Sequence, residues 1–258
     1  MDNYEEFKKK VLTLTSIDLS SYKERQMKRR IDTLIAKSGA KSYDDYVTKL
    51  RTDKAVLEAF VNYLTINVSE FYRNPDQWKT LESEVLPFLF DKFGKKIKIW
   101  SAACSTGDEP YTLVMLLAEY IPMRDIKIVA TDIDKQVLEK ARMGIYDSKS
   151  LKGLPQKYID KYFTKITDRS YQISEEVKRC VEFSNHNLLL DPYPTDCEMI
   201  VCRNVLIYFT DEAKREIYKK FCQSLKPEGI LFVGSTEQII GPKELGFSTR
   251  HSFFYNKL

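Results

Sequence analysis

From residue 96 onward the sequence alternates strand-type and helix-type segments, and this alternation limits the fold more than any other feature of the chain. "KIKIWSAA" reads as a strand and "EPYTLVMLLAEY" as a helix; "IKIVATDID" and "KQVLEKARM" repeat the pair. "VEFSNHNLL" and "EMIVCRNVLIYF" are further strands. The helix "DEAKREIYKKFCQSL", the strand "GILFVGSTE" and a terminal hairpin strand in "FSTRHSFFYNKL" follow. Repeated βα units require a parallel sheet covered on both faces by its crossover helices. Ligands of such sheets sit at the carboxyl ends of the strands, near the first crossover.

Two regions lie outside this rhythm. Residues 1–66 carry no strand signal and read as a small helical domain. Within it, Ser20 or Ser21 is placed to cap "YKERQMKRRIDTLIAK", where Met27, Ile31, Leu34 and Ile35 share one face. Residues 145–179 hold a helix, "LPQKYIDKYF", and a hairpin turning at Thr167–Ser170, an insertion decorating the rim of the sheet. Between the helical domain and the sheet, residues 67–75 form a linker that fits neither period and contributes to the site. Asn74 and Pro75 then start a helix that ends at Gly94. The expected organisation is therefore an all-α domain at 1–66, the linker, and a Rossmann-type α/β domain at 76–258 carrying a small β-subdomain.

Composition closes off several chemistries. The five cysteines are odd in number and unpatterned, which suits reduced thiols. "MDNYEEFKKK" has no apolar signal-type core, and no apolar run approaches the roughly 18 residues of a membrane span. A cytoplasmic chain without membrane insertion is expected. The only histidines, His186 and His251, lie in no ligand or nucleophile motif, so neither a metal site nor a Ser-His-Asp triad is expected. A net charge of +4 is too small to mark a nucleic-acid protein by itself.

The first strand–helix junction, "WSAACSTGDEPYTL", carries the chemistry. Ala103, Ser105 and Gly107 give a small-residue loop that lets a ligand approach the backbone. Asp108 and Glu109 then occupy the positive end of the helix, where a pyrophosphate would bind in a dinucleotide fold. They suit a ligand with positive charge, although acids in a first helical turn also serve simply to complement the dipole. Asp132, ending the second strand, stands where such folds hold a ribose diol. An adenosine with a cationic, phosphate-free tail is S-adenosylmethionine, so the residues point to a methyltransferase rather than a dehydrogenase.

Taken together, "INVSEFYR" (67–73 with its preceding Ile66), "WSAACSTGDEPYTL", "ATDID", "NHNLL" and "CRNVLIYF" resemble the chemotaxis receptor methyltransferases, the CheR family, in order and spacing. The resemblance runs from about residue 5 to the end. It implies methyl transfer from S-adenosyl-L-methionine to glutamate side chains of membrane chemoreceptors, with S-adenosyl-L-homocysteine as the other product. It also implies cofactor contacts from Asn67, Ser69, Arg73, Gly107, Glu109, Asp132, Asn187, Leu188, Arg203 and Asn204, with the choice between Asp108 and Glu109 open by one place. Arg73 and Tyr208 are implied beside the transferred methyl.

The basic residues Lys23, Arg25, Lys28, Arg29 and Arg30 either form a solvated helix face or dock the acidic methylation helices of the receptors. Tethering to a receptor tail peptide is not expected, because residues 154–184 lack the hairpin glycine that tethering members use. A monomer is expected. A nucleic-acid or small-molecule methyltransferase and a non-enzymatic donor sensor remain the alternatives.

Overall fold

The computed structural model describes residues 3–258; Met1 and Asp2, which open the expected helical domain, lie outside them. The chain separates into two units. One comprises the residues up to Asn67 together with Tyr208–Glu216, and the other Val68–Ile207 together with Ile217–Leu258.

The first unit is built on α1 (Tyr4–Thr15), α2 (Glu24–Lys37), α3 (Tyr43–Thr52) and α4 (Lys54–Thr65). Ser42 and Asp53 cap α3 and α4 by accepting backbone N–H bonds in the first turns, as their short oxygen-bearing side chains allow. Phe7, Tyr43, Tyr46 and Phe60 are buried against one another, with Phe7 and Tyr43 centroids 4.8 Å apart. The start of α2 differs from the sequence expectation. Ser20 and Ser21 lie in a 3₁₀ turn capped by Asp18, and Lys23 occupies the cap position of α2 without a side-chain bond. Competition explains this: the Ser21 hydroxyl donates to Asp18 at 3.0 Å and the Lys23 N–H donates to the Tyr208 carbonyl at 2.9 Å. The 208–216 segment joins this unit through that bond, a Tyr22–Phe209 bridge with rings 4.6 Å apart, and Thr210 N–H to Ser21.

The second unit opens with α5 (Pro75–Thr80) and α6 (Leu86–Phe93), separated by a π-helical stretch at Leu81–Val85. The sequence reads one helix here. Pro87 has no N–H to give to the turn before it, and the wider turn absorbs the defect. Next come β1 (Ile99–Ser101), α7 (Asp108–Leu117), β2 (Ile128–Asp132) and α8 (Lys135–Met143). β3 (Ile145–Asp147), α9 (Gln156–Tyr162), β4 (Phe163–Lys165), β5 (Ser170–Ile173) and α10 (Glu175–Lys178) form the insertion. The chain closes with β6 (Val181–Asn185), β7 (Cys197–Cys202), α11 (Asp211–Ser224), β8 (Leu225–Val233), β9 (Phe247–His251) and β10 (Phe254–Lys257).

The main sheet runs β6-β2-β1-β7-β8-β10-β9. Its first five strands are parallel, and β10 enters antiparallel between β8 and β9. Strand order reverses between β1 and β7, which opens a crevice at the carboxyl ends of those strands. The insertion forms a separate antiparallel sheet, β3-β5-β4. Segments read as strand end early: β6 stops at Asn185, before residues 186–189, and β7 stops at Cys202, after which Leu206–Tyr208 turns as a 3₁₀ helix.

Candidate active site

The loop after β1 is held from three sides. Cys104 N–H donates to the Thr131 carbonyl at 2.9 Å, Ser105 N–H to the Asp132 carboxylate at 2.9 Å, and the Tyr146 hydroxyl to the Thr106 carbonyl at 2.7 Å. Ser105 and Gly107 both take left-handed backbone conformations, φ 48° and 89°. At Gly107 an added Cβ would meet Ala141 at 2.9 Å and Tyr111 at 3.1 Å, so packing of the protein itself demands glycine there.

Asp132 is buried, and its second oxygen accepts the Asp134 N–H at 3.0 Å. Burial pushes its carboxyl up to about 6, against the backbone hydrogen bonds that favour the charge. Both oxygens carry backbone N–H groups and retain acceptor capacity for a hydroxyl. Beside it, the Ser105 hydroxyl is buried with no hydrogen-bond partner. Asn185 gives its amide to the Asp132 and Ile133 carbonyls, fixing the strand end. Asn187 and Leu188 follow in a tight turn: Leu189 N–H donates to the Asn187 side chain at 2.9 Å, and the Tyr193 hydroxyl to the Leu188 carbonyl at 2.7 Å.

The two acids at the start of α7 part company. Asp108 is 1% exposed and takes the Thr106 hydroxyl at 2.5 Å. The Glu109 side chain keeps 13% exposure, accepts the Ser101 hydroxyl at 2.8 Å and faces Arg203 at 3.6 Å. Burial raises both carboxyls, and for Glu109 the guanidinium and the hydroxyl oppose it.

Arg73 stands between two residues in left-handed conformations, Tyr72 (φ 57°) and Asn74 (φ 60°). Its carbonyl accepts from Arg203 and from the Trp78 indole, each at 2.8 Å, and its side chain donates to the Val68 carbonyl at 3.2 Å. Asn74 does not cap α5 with its side chain; its amide oxygen accepts from Arg203 instead, at 3.3 Å. Arg203 also donates to Gln77 at 2.7 Å and lies over the rings of Phe232 and Trp78. Such strain persists only where the surroundings impose it.

The insertion supplies part of that hold. Phe71 N–H donates to the Ser150 carbonyl, and its ring packs edge-on against Tyr146 and Phe163 at 4.7 and 5.3 Å. Phe71→Ala is expected to destabilise the second unit by about 3–5 kcal/mol in urea unfolding, the usual cost of emptying a buried aromatic site. A change under about 1 kcal/mol would show that the loop does not depend on this contact.

The structure thus gathers Ser69, Arg73, Gly107, Glu109, Asp132, Asn187, Leu188, Arg203 and Asn204 into the second unit. Asn67 and Tyr208 belong to the first. There, Asn67 donates to Thr65, and Tyr208 lines a cavity of about 270 Å³ with Lys23, Gln26, Met27, Arg29, Arg30 and Ile66. Of the five basic candidates, Lys23, Arg25 and Arg29 are exposed. Lys28 pairs with Asp32 at 3.0 Å, and Arg30 donates to the Tyr63 carbonyl and stacks on its ring. Sequence reasoning missed Glu237, a buried carboxylate that accepts four backbone N–H bonds. Among the described residues, no group of His, Cys, Asp and Glu could hold a metal ion, and no helix is long and apolar enough to cross a membrane.

A doubly wound sheet whose first helix begins with acids, and whose second strand ends in one, fits an S-adenosylmethionine-dependent methyltransferase. The sequence matches "CheR methyltransferase, SAM binding domain" over residues 67–252 and "CheR methyltransferase, all-alpha domain" over residues 2–65. The chain belongs to the CheR methyltransferase family. It is 41% identical to the chemotaxis protein methyltransferase of Listeria monocytogenes, over 93% of this chain and 92% of that one. Identity is 36% with chemotaxis protein methyltransferase 2 of Vibrio cholerae (87% and 81% covered) and 35% with the Escherichia coli protein (86% and 79%).

Proposed function

We propose that this methyltransferase esterifies glutamate side chains in the acidic helical methylation region of membrane chemoreceptors, giving glutamyl 5-O-methyl esters and S-adenosylhomocysteine. The observation that carries the reading is the acid-lined crevice: Asp132, Glu109 and an unpartnered Ser105 hydroxyl fit a cationic adenosyl ligand and repel a diphosphate. When bound, S-adenosylmethionine supplies a methyl group activated by its sulfonium. The accepting glutamate is ionised at neutral pH, so no general base is needed. What remains for the protein is alignment and exclusion of water, worth on the order of 7–11 kcal/mol at best.

Each residue has a part in that alignment. Asp132 accepts the ribose hydroxyls, and Gly107, Asn187 and Leu188 shape the adenosine side. Glu109, with side-chain surface left beside Arg203, is the acid that meets the cationic tail, while Asp108 takes hydroxyls from Thr106 and Ser69 and keeps one buried oxygen unpartnered. Asn67, Ser69 and Asn204 complete the donor contacts. Arg203 acts by holding the Arg73 carbonyl and Glu109. Arg73 orients the substrate carboxylate through its planar fork, loosely enough not to stabilise the ground state. Tyr208 orients the same oxygen or packs the methyl.

The basic face of α2 docks the acidic receptor helices. Its exposed Arg25 and Arg29 offer charge to a partner, and Lys23, Arg29 and Arg30 line the Tyr208 cavity. Reversing Arg25, Lys28 and Arg29 to Glu is expected to raise KM for receptors several-fold at low salt and less at high salt. Receptors lacking their tail are expected to give the wild-type KM, since the hairpin turn "TDRS" has no glycine. An unchanged KM after charge reversal would remove the docking role.

The protein is read as a cytoplasmic monomer, which light scattering and cell fractionation check. The function itself is tested with labelled S-adenosylmethionine and receptor-bearing membranes: base-labile methanol release supports it. Label appearing in RNA, or donor binding without turnover, sinks it.

A further inference from the structure

Glu237 lies in the loop after β8, 5% exposed, and its carboxylate is spent on the protein backbone. Oε2 accepts from Asn204 N at 2.5 Å and Gly234 N at 2.9 Å. Oε1 accepts from Leu206 N at 2.6 Å and Ile207 N at 3.3 Å. Three of these four donors belong to the turn that ends β7. Asn204 stands there at φ 61°, a conformation that leaves both strand and helix. Buried N–H groups released from regular structure need acceptors, and a charged one binds them more strongly than a neutral one. The carboxylate does for this turn what the sheet ladder does for the strand before it.

Gly234 admits the carboxylate. A Cβ at that position would lie 2.5 Å from Oε2 of Glu237, 2.8 Å from Asn204 N and 3.0 Å from the Asn204 side-chain nitrogen. Immediately before the turn is Arg203, whose guanidinium holds the Arg73 carbonyl, Gln77 and Glu109. A shift of the turn therefore moves the anchor of both the acid and the strained Arg73 segment.

We propose that Glu237 is a positioning residue for methyl transfer: by gathering four backbone N–H groups it fixes the 203–207 turn so that Arg203 can hold Arg73 and Glu109 in place. This rests on the functional reading above. Two variants break the contact differently. Glu237→Gln keeps the shape but turns an NH₂ toward backbone donors, and Gly234→Ala keeps the charge but displaces it.

Turnover is measured on receptor membranes at saturating donor and divided by the number of sites that bind S-adenosylhomocysteine in calorimetry, so that loss of folded protein does not count. Each variant is expected to lose about tenfold to a hundredfold in turnover per site, with KM for receptors unchanged. Because both act on one contact, the double variant is expected to fall no further than the weaker single one. Turnover per site within twofold of wild type in either variant, whatever its melting temperature, would overturn the proposal, as would losses that multiply. A wild-type protein that methylates no receptor overturns both readings; an active wild type beside unaffected variants overturns this one alone.

Discussion

Arg73→Ala is expected to lose about a hundredfold or more of turnover on receptor membranes while still binding S-adenosylhomocysteine and melting near the wild-type temperature. The fold does not need the side chain. Its hydrogen bond goes to the exposed Val68 carbonyl, whereas the anchoring bonds from Arg203 and Trp78 go to the Arg73 backbone carbonyl, which alanine keeps. What alanine removes is a fork of donors on a segment fixed by Phe71, Tyr72 and Asn74. Arg73→Lys is expected to recover only part of the activity, since an ammonium keeps the charge but cannot grip a carboxylate at two points. A folded, donor-binding Arg73→Ala protein with near-native turnover would end the catalytic assignment of this residue.

Asp132→Asn is expected to weaken binding of S-adenosylhomocysteine by about tenfold to a hundredfold, the scale of a lost hydrogen bond to a charged group. The amide turns an NH₂ toward Ser105 N–H or Asp134 N–H, so one of these two bonds is lost along with the charge. The pH dependence follows from burial. In the free protein the Asp132 carboxyl titrates at about 6, and the ionised form is the acceptor that a diol needs. Affinity should therefore be level above that pH and fall as the solution is acidified through it. In Asp132→Asn that fall should be smaller, reduced to what the raised Glu109 carboxyl contributes.

Stability runs the other way. A carboxyl raised from 3.8 to about 6 favours the folded state at low pH, and that contribution is lost as pH rises through about 6. Calorimetric titrations of both proteins between pH 5 and 8 decide the matter; identical profiles would remove Asp132 from the donor site.

The legible parts of this chain were those governed by local periodicity and local chemistry. "KQVLEKARM" is α8 from end to end, because its apolar spacing is strictly helical and Gly144 stops it in a left-handed conformation. The sheet class followed from the βα alternation, and the acid-lined junction followed from residue types that sit next to one another. Misreadings occurred where a distant group intervened. "EMIVCRNVLIYF" reads as one apolar strand, yet β7 ends at Cys202 and Glu237, 33 residues beyond Asn204, takes the N–H groups of the next turn. Ser20 and Ser21 look like caps, but Asp18 takes the Ser21 hydroxyl and the Tyr208 carbonyl takes the Lys23 N–H that such a cap would serve.

A parallel α/β sheet following a helical domain, and carboxylates at its first crossover, were legible in the residues because both depend on the order and period of neighbouring side chains. Packing between distant segments sets the surroundings of those acids. It buried Asp108 against Thr106, left side-chain surface on Glu109 beside Arg203, and gave Glu237 a task that no local pattern announces. The reason is physical: burial and long-range hydrogen bonding set what a charged group can do, and both are properties of packing between segments distant in the chain.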